Sequence, residues 1–479
     1  MKLIRLSTII FLQLSLLNSQ PIPNDYFIYH SKKLLFDAGS DWNLLSNFRS
    51  PRFNNRIKEQ KPKTNLPLHI KGQIGLLNQN NVSTLYMFSH FNFNDYFYGF
   101  IYPRYTNKIE KHHSPEIIPG FNNLQDNHSG LGYQNAWVAL QIGKGVENWG
   151  AGNDIQLALS EYSEPYDYFL LASDYGKFRV KYINGYLESI DNNINRYITA
   201  RGIEWSNRRS IVIGFSETVI YSGENRSLDI GYLNPMSSHL EVELNDRLNI
   251  IGDSHSNAVW QLHIDLLLGN NIRLSGNYLF DEFVFDPEIE IGKEHGRAWS
   301  LRSAITPMFS SNHLLTIYGK IIYVGTPTFR HAIGANNFVQ NERPLGWYKG
   351  SDSVDLSLGL NYFNRHNLIL SIETGFLKSG EDNIIHRVYN PYSDYLKGPF
   401  PSGVTDETIY LDTYLKMNEN NLKTKKLINF GPSGRAVAQP MDNSLLDNIF
   451  EHLTMERFAN VQYFSIYLWF QERDLNGFA

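Results

Sequence analysis

The stretch 258–282, AVWQLHIDLLLGNNIRLSGNYLFDE, decides the fold of this chain. Apolar and polar residues alternate in its first half, Gly269-Asn270-Asn271 follows as a turn signal, and the alternation then resumes. The polar positions of the two halves are Gln261, His263, Asp265, Arg273, Ser275, Asn277 and Asp281. A period of two predicts a hairpin of two strands, each with one apolar and one polar face.

The same alternation recurs along most of the chain and predicts an all-β protein. Seventeen segments carry a strand pattern: 67–77, 84–93, 97–105, 134–143, 166–173, 177–188, 196–206, 209–220, 258–268, 272–282, 297–307, 313–324, 354–364, 367–377, 407–417, 424–430 and 461–471. Serial amphipathic strands of about ten residues are typical of a transmembrane antiparallel β-barrel.

The connections between these strands alternate in length from residue 196 onward. The short ones are 207–208, 269–271, 308–312, 365–366 and 418–423, and the long ones are 221–256, 283–296, 325–353, 378–406 and 431–460. Because transmembrane barrels have short periplasmic turns and long external loops, the last strand should run inward. Counting back makes 67–77 an inward strand, so one further outward strand is expected before residue 67. We therefore expect about 18 strands, with 16 as the alternative.

The ends of the chain and its composition restrict its class. Lys2, Arg5 and the apolar run 6–17 predict a signal peptide over residues 1–20. Residues 21–65 are predicted to form a small periplasmic lead-in, a plug or short helices, and residues 66–479 the barrel. The chain has no Cys, which excludes thiolate metal sites and disulfides. A net charge of −5 gives no sign of nucleic-acid binding, and no cofactor or metal site is expected.

The polar face of the predicted strands carries charges of both signs. Those expected to line the lumen are His263, Asp265, Arg273, Asn277, Arg302, Lys320, Asp355 and Glu373. Burying such charges without partners is costly, so a water-filled or salt-bridged lumen is the expected environment. The mixture of signs predicts internal ion pairs rather than a filter of one sign.

Few residue patterns indicate catalysis. His263-x-Asp265 places an imidazole and a carboxylate on one face, as in a serine hydrolase, yet no G-x-S-x-G motif accompanies it. Residues 281–290 form an acidic cluster at an outer strand end, suited to a cation or to glycan hydroxyls or simply solvated. The chain is therefore expected not to be an enzyme, and a hydrolase is the weaker alternative.

Several blocks of sequence resemble the capsule assembly Wzi family, in its divergent Bacteroidetes-like form. They are 149–153 (WGAGN), 162–166 (YSEPY), 176–178 (GKF), 196–200 (RYITA), 214–217 (GFSE), 219–221 (VIY), 231–235 (GYLNP), 279–283 (LFDEF), 343–346 (RPLG) and 350–352 (GSD). The resemblance covers roughly residues 134–365. It implies an outer-membrane barrel that attaches or organises surface polysaccharide in a lectin-like, non-catalytic manner.

The matching blocks nominate a set of glycan-binding residues at or near outer strand ends. The set is Glu217, Tyr221, Asn234, Asp281 and Glu282. Aromatic rings stack on sugar C–H faces, and carboxylates accept hydrogen bonds from hydroxyls. The leading hypothesis is thus a monomer in the bacterial outer membrane that contacts lipid and binds surface polysaccharide. A diffusion channel for small solutes is the alternative.

Overall fold

The computed structural model describes residues 37, 69–79, 82–92, 96–106, 124–135, 137–245, 256–269, 271–281, 291–309, 313–364, 368–392, 397–418, 427–430 and 462–470. The predicted signal peptide, the rest of the 21–65 segment and the loop 431–460 lie outside the described residues. Glu282 lies outside them as well.

The described part of the chain is dominated by β-strands. In chain order they are β1 (His69–Gln79), β2 (Val82–Asn92), β3 (Phe97–Thr106), β4 (Leu124–Gln134), β5 (Val138–Gly145), β6 (Tyr166–Asp174), β7 (Phe178–Ile190), β8 (Ile194–Ser206), β9 (Ile211–Glu224), β10 (Ser256–Leu268), β11 (Ile272–Phe280), β12 (Arg297–Phe309), β13 (His313–Val324), β14 (Val339–Gln340), β15 (Arg343–Pro344), β16 (Ser353–Asn364), β17 (Leu368–Ser379), β18 (Asp406–Asn418), β19 (Leu427–Phe430) and β20 (Gln462–Phe470). β14 and β15 form a small ribbon, and the others form one 18-stranded sheet.

Sheet order follows chain order. Each strand pairs antiparallel with its neighbours along the chain, β16 follows β13, and β1 pairs with β20 as well as with β2. The helices of the described residues are short: α1 spans Ile230–Leu233 and α2 spans His239–Leu244, and there are two 3₁₀ turns elsewhere, Asp191–Asn193 and Gly334–Asn336. Within the described ranges, no helix has the length and apolar character needed to cross a membrane.

The two faces of the sheet have reversed burial relative to a soluble protein. On β10, Leu262 and Ile264 are 46% and 41% exposed, whereas His263 and Asp265 between them are buried. β16 repeats this arrangement, because Leu358 is 64% exposed and Asp355 is buried. We call these the apolar face and the polar face. Exposed apolar side chains alternating with buried polar ones are the pattern of strands between lipid and a barrel interior.

The β10–β11 hairpin has the form that the sequence predicts. β10 and β11 are in register from Trp260 opposite Phe280 to Leu268 opposite Ile272. The turn begins at Gly269, whose φ of 65° lies in the left-handed region that glycine adopts without strain.

The strand assignment of the sequence needs two corrections. The eighteenth strand of the sheet is β4, Leu124–Gln134, which the alternation did not predict, and the predicted strand 134–143 corresponds to β5. Because β1 is antiparallel to β20, β1 runs outward if the last strand runs inward, opposite to the predicted direction. The strand expected before residue 67 lies outside the described residues, and β1 already has a partner on each edge.

The long connections lie at one end of the strands, together with the three-residue connection Asp191–Asn193. Five long segments join strands at the same end of the sheet, which we call the long-loop edge: 146–165, 225–255, 281–296, 325–352 and 380–405. At the other edge, the connections after β6, β8, β10, β12 and β16 are short turns.

The main hydrophobic cluster lies where the long segments meet the polar face. Segment 146–165 contributes Trp149, Ile155 and Leu157, all with at most 1% exposure, and segment 325–352 contributes Phe338 and Trp347. Strand residues such as Leu170, Ile198 and Ile322 belong to the same cluster, so the connecting segments pack directly against the strands.

Candidate functional site

The polar face of the β10–β11 hairpin is organised around Asp265. Arg273 donates to both carboxylate oxygens from Nε, at 3.0 and 2.8 Å, and Ser275 Oγ donates to Oδ1 at 2.6 Å. Asp265 and Arg273 have no exposed side-chain surface. The pairing satisfies the charge of both groups, which burial without a partner would make very unfavourable.

Asn277, two residues further along β11, holds the 146–165 segment. Its Oδ1 accepts from Ala151 N at 2.7 Å, and its Nδ2 lies 3.1 Å from the carbonyl oxygens of both Ala151 and Ile155. Ser300 Oγ on β12 donates to Ile155 O at 2.7 Å. The strands therefore supply the hydrogen bonds that a connecting segment needs when it leaves water.

A second group of charges lies on β13, β16, β17 and the 325–352 segment. Lys320 Nζ donates to Glu373 Oε2 at 2.8 Å, and Lys349 Nζ donates to Asp355 Oδ1 at 2.7 Å. The Tyr410 hydroxyl joins the two pairs, at 3.0 Å from Asp355 Oδ1 and 3.2 Å from Glu373 Oε1. These contacts confirm that opposite charges pair on this face, as the mixture of signs predicted.

One residue of the predicted lead-in also reaches the polar face. Asp37 is 1% exposed, and its carboxylate accepts from Arg302 Nη1 at 2.5 Å and Nη2 at 2.8 Å. Asn153 Nδ2 donates to the same carboxylate at 3.0 Å. Asp37 thus joins a strand residue to the 146–165 segment.

His263 and Asp265 do not form the charge-relay arrangement of a serine hydrolase. The His263 Nε2 contacts Glu204 Oε1 at 3.3 Å, while the Asp265 carboxylate contacts Arg273 and Ser275. A triad needs the imidazole between the serine and the carboxylate. His263 and Asp265 therefore belong to two separate pairs on the polar face, one with Glu204 and the other with Arg273.

Two predicted glycan-binding residues, Glu217 and Tyr221, are buried: Tyr221 lies near the long-loop edge, whereas Glu217 lies in the middle of β9 (Ile211–Glu224) and not at a strand end as predicted. Glu217 is 2% exposed, accepts from Trp260 Nε1 at 2.9 Å and lies 3.1 Å from Arg201 Nε. Tyr221 has no exposed surface, and its ring stacks on that of Tyr197 at 5.1 Å. Both side chains are covered by residues 225–245, so neither presents a free surface to a ligand.

The other predicted glycan-binding residues differ in accessibility. Asn234 is exposed, and its Oδ1 accepts from Met236 N at 3.0 Å. Asp281 is 6% exposed and accepts from the backbone N–H of Phe329, so it anchors the 325–352 segment. The role of these residues in glycan binding stays a prediction.

An accessible aromatic pair that the sequence did not single out lies on the long segments. Tyr162 is 39% exposed, its ring centroid lies 4.9 Å from that of Tyr348, and its hydroxyl donates to Asp154 Oδ1 at 2.6 Å. Nearby in sequence, Glu164 Oε1 and Arg343 Nη1 form an ion pair at 2.7 Å. Tyr162 and Arg343 both belong to sequence blocks that resemble the Wzi family, and this resemblance was the sequence signal that could have identified them.

The same segment holds a perturbed acid. Glu161 is buried, and burial raises its pKa from 4.5 to about 8, because the charged form loses its hydration. Among the residues described, no group of three or more His, Asp or Glu side chains is placed to hold a metal ion.

Solved structures provide the comparison with known proteins. Wzi of Escherichia coli, described as an outer-membrane carbohydrate-binding β-barrel involved in group 1 capsule assembly, is 11% identical with a TM-score of 0.52, over 75% of this chain and 78% of that one. OccK5 (OpdH) of Pseudomonas aeruginosa has 8% identity and a TM-score of 0.40, over 84% and 98%. A bacterial polysaccharide outer membrane secretin has 8% identity and a TM-score of 0.34, over 73% and 97%.

Sequence comparison adds nothing to this, because no protein-family model matches the chain and no curated protein matches it. The similarity to the Escherichia coli structure shows a shared fold. Together with the large antiparallel sheet, it gives this chain the fold of bacterial outer-membrane β-barrels.

Proposed function

We propose that this protein is a non-catalytic bacterial outer-membrane β-barrel of 18 strands that binds surface polysaccharide through the segments at its long-loop edge. Pairing of β1 with both β2 and β20 supports closure of the sheet, since a closed sheet leaves no unpaired edge within lipid. The long-loop edge is then external and the short turns are periplasmic.

The observation that carries the proposal is the packing of long segments against the polar face. Trp149, Leu157 and Trp347 are buried there, and Trp347 N donates to Leu157 O at 3.1 Å, which joins two of the segments. A diffusion channel needs water along this face, whereas a binding protein needs a fixed arrangement of loops. The packed arrangement favours binding over diffusion.

Carbohydrate recognition is supported by the chemistry of the accessible groups. The Tyr162–Tyr348 pair offers an aromatic surface, and Asp154 accepts a hydrogen bond from the Tyr162 hydroxyl. The ion pair of Glu164 and Arg343 lies close to the two tyrosines in sequence. Sugars bind through stacking of C–H groups on rings and hydrogen bonds to charged side chains. The solved structure of similar fold is itself described as carbohydrate binding, which agrees with this assignment.

Binding can be measured with polysaccharide extracted from the surface of the producing bacterium. We expect Tyr162→Ala to weaken binding about fivefold, because the stacking of one aromatic ring is worth about 1 kcal/mol. Tyr162→Phe keeps the ring and should retain most of the affinity. Tyr175→Ala is the matched control, because Tyr175 is 63% exposed in the turn after β6 at the opposite edge.

Two results would contradict the proposal. One is equal affinity of the wild type, Tyr162→Ala and Tyr175→Ala proteins for the extracted polysaccharide. The other is normal retention of polysaccharide on cells that lack the whole gene.

A further inference from the structure

A helical lobe lies on the outside of the sheet. This lobe, residues 225–245, contains α1 and α2 and contributes Tyr232 and Val242 to a hydrophobic cluster with Val219 and Tyr221 of β9. Val219 and Tyr221 follow the exposed Phe215 at even spacing, so they belong to the apolar face. The lobe therefore packs on the face that carries exposed apolar side chains elsewhere.

Hydrogen bonds hold the lobe to that face. Tyr182 on β7 donates from its hydroxyl to Tyr232 O at 2.7 Å, and Tyr197 on β8 donates to Arg226 O at 2.8 Å. The backbone N–H of His239 donates to Glu217 Oε1 on β9 at 3.1 Å. Contacts to three strands make the lobe part of the folded wall.

The lobe covers polar residues that interrupt the apolar face. Beyond Phe215, the next position of that face on β9 is Glu217, which pairs in register with Arg201 on β8 and Trp260 on β10. One row further, Thr199 on β8 is paired with Asn184 on β7. Without the lobe, these side chains would face the surroundings of the sheet.

This interruption shortens the apolar band of the bare strands. On β13 the band extends over residues 315–323, whereas on β9 it extends over 211–215 before Glu217. At about 3.3 Å per residue and a tilt of about 40°, these stretches cover about 20 Å and about 10 Å of membrane depth. An outer-membrane barrel presents an apolar band about 25 Å tall, and the band of β9 is about 10 Å shorter than that of β13 on the side of the long-loop edge.

The side of the lobe turned away from the sheet is apolar. Its exposed large apolar residues are Leu228 (41%), Ile230 (79%), Leu233 (40%), Met236 (88%) and Leu240 (50%), and the polar residues exposed on the lobe, Asn225, Ser227, Asn234, Ser238 and Asn245, are all uncharged. The lobe contains no Lys, and its one Arg, Arg226, is 3% exposed and paired with Asp229 at 3.1 Å, so its exposed side offers no basic residue to anionic headgroups. An apolar surface without basic residues fits acyl chains better than it fits phosphate groups.

We propose that the helical lobe is embedded among the acyl chains of the outer leaflet, where its apolar side completes the hydrophobic band over β7–β9. This inference rests on the proposed outer-membrane location. The missing depth of about 10 Å matches the depth at which interfacial amphipathic helices bury their apolar face. The occupant of this surface is thus lipid, rather than a second copy or another protein.

Because the chain contains no Cys, single cysteines can be labelled specifically. Met236→Cys, Leu358→Cys and Val404→Cys, carrying a polarity-sensitive fluorophore, would be prepared in the full chain and reconstituted into phospholipid vesicles. Leu358 lies on the apolar face of β16, and Val404 is 78% exposed in the 380–405 segment at the long-loop edge. Quenching is compared between lipids brominated on the acyl chains and aqueous iodide.

We expect the label at Met236→Cys to be quenched by brominated lipid at least half as strongly as that at Leu358→Cys, with Val404→Cys quenched only by iodide. Iodide quenching at Met236→Cys together with lipid quenching at Leu358→Cys would overturn the inference and leave the barrel intact. A label at Met236→Cys shielded from both quenchers would also overturn it, since protein would then cover the lobe. Absence of lipid quenching at Leu358→Cys would overturn the outer-membrane proposal itself.

Discussion

Replacing Asp265 with Asn should strongly destabilise this protein. Asp265 and Arg273 are both fully buried on the polar face, and Ser275 supplies a further hydrogen bond to the carboxylate. The variant Asp265→Asn removes the carboxylate charge that faces the Arg273 guanidinium inside the fold. The loss in the free energy of unfolding shows how far water is excluded from the polar face.

The expected loss follows from the burial of the pair. Breaking a buried ion pair by removing one partner costs about 3–5 kcal/mol, because the remaining charge loses the attraction that offset its removal from water. The double variant Asp265→Leu/Arg273→Met removes both charges and should cost less than the sum of the two single variants. This difference separates the electrostatic coupling of Asp265 and Arg273 from the loss of packing.

Stability can be measured by urea unfolding of the protein in phospholipid vesicles. The 8 Trp residues of the chain provide a fluorescence signal for the transition. The matched control is Glu407→Gln, which breaks the 2.9 Å pair of Lys378 and Glu407, whose side chains are 33% and 53% exposed. That variant should cost less than about 1 kcal/mol, since exposed ion pairs contribute little.

The reasoning would be refuted by a loss of less than about 1 kcal/mol for Asp265→Asn, equal to that of the exposed control. Water would then hydrate Arg273, and the polar face would be the wet lumen of a channel. A strongly additive double variant would likewise show that the two charges are independently solvated.

Two further predictions concern the 146–165 segment. Because burial raises the pKa of Glu161 to about 8, the folded state retains a proton that the unfolded state loses above pH 4.5. The free energy of unfolding should therefore fall by about 1.4 kcal/mol per pH unit between pH 4.5 and about pH 8. Glu161→Gln should remove this slope, whereas Glu407→Gln should keep it. The same slope in both variants, measured from unfolding midpoints, would contradict this expectation. In planar bilayers, the wild-type protein should give little conductance. Deletion of residues 150–158 should raise the conductance several-fold, because this segment packs against the polar face. High conductance of the wild-type protein would favour the channel alternative.

The sequence alone predicted the class of fold and the register of the central hairpin. Trp260, Leu262 and Ile264 alternate with Gln261, His263 and Asp265, and a strand period of two leaves only the choice of which face meets lipid. The turn at Gly269 then fixes the register of β10 on β11, because a short connection leaves no freedom to slide. Such local patterns are visible without any knowledge of the rest of the chain.

Strand β4 was not predictable in this way. Its sequence, LQDNHSGLGYQ, has few apolar residues and no alternation, and it is a strand because β3 and β5 hydrogen-bond to its two edges. Its glycines leave room for neighbouring rings, since a Cβ on Gly132 would lie 2.4 Å from the ring of Tyr98. Pairing with neighbours, a tertiary property, overrides weak local propensity here.

The accessibility of the candidate site was decided by tertiary structure as well. The sequence placed Glu217 and Tyr221 near an outer strand end, but their burial depends on a helical lobe that folds back over the strand after leaving it. In the same way, the alternation identified Asp265, Asn277 and Asp355 as polar-face residues but could not name their partners. Those partners, such as Arg273, Ala151 and Lys349, include residues of connecting segments whose path no periodic pattern encodes. Strand period is a local property of the chain, whereas the packing of loops depends on contacts between residues far apart in sequence.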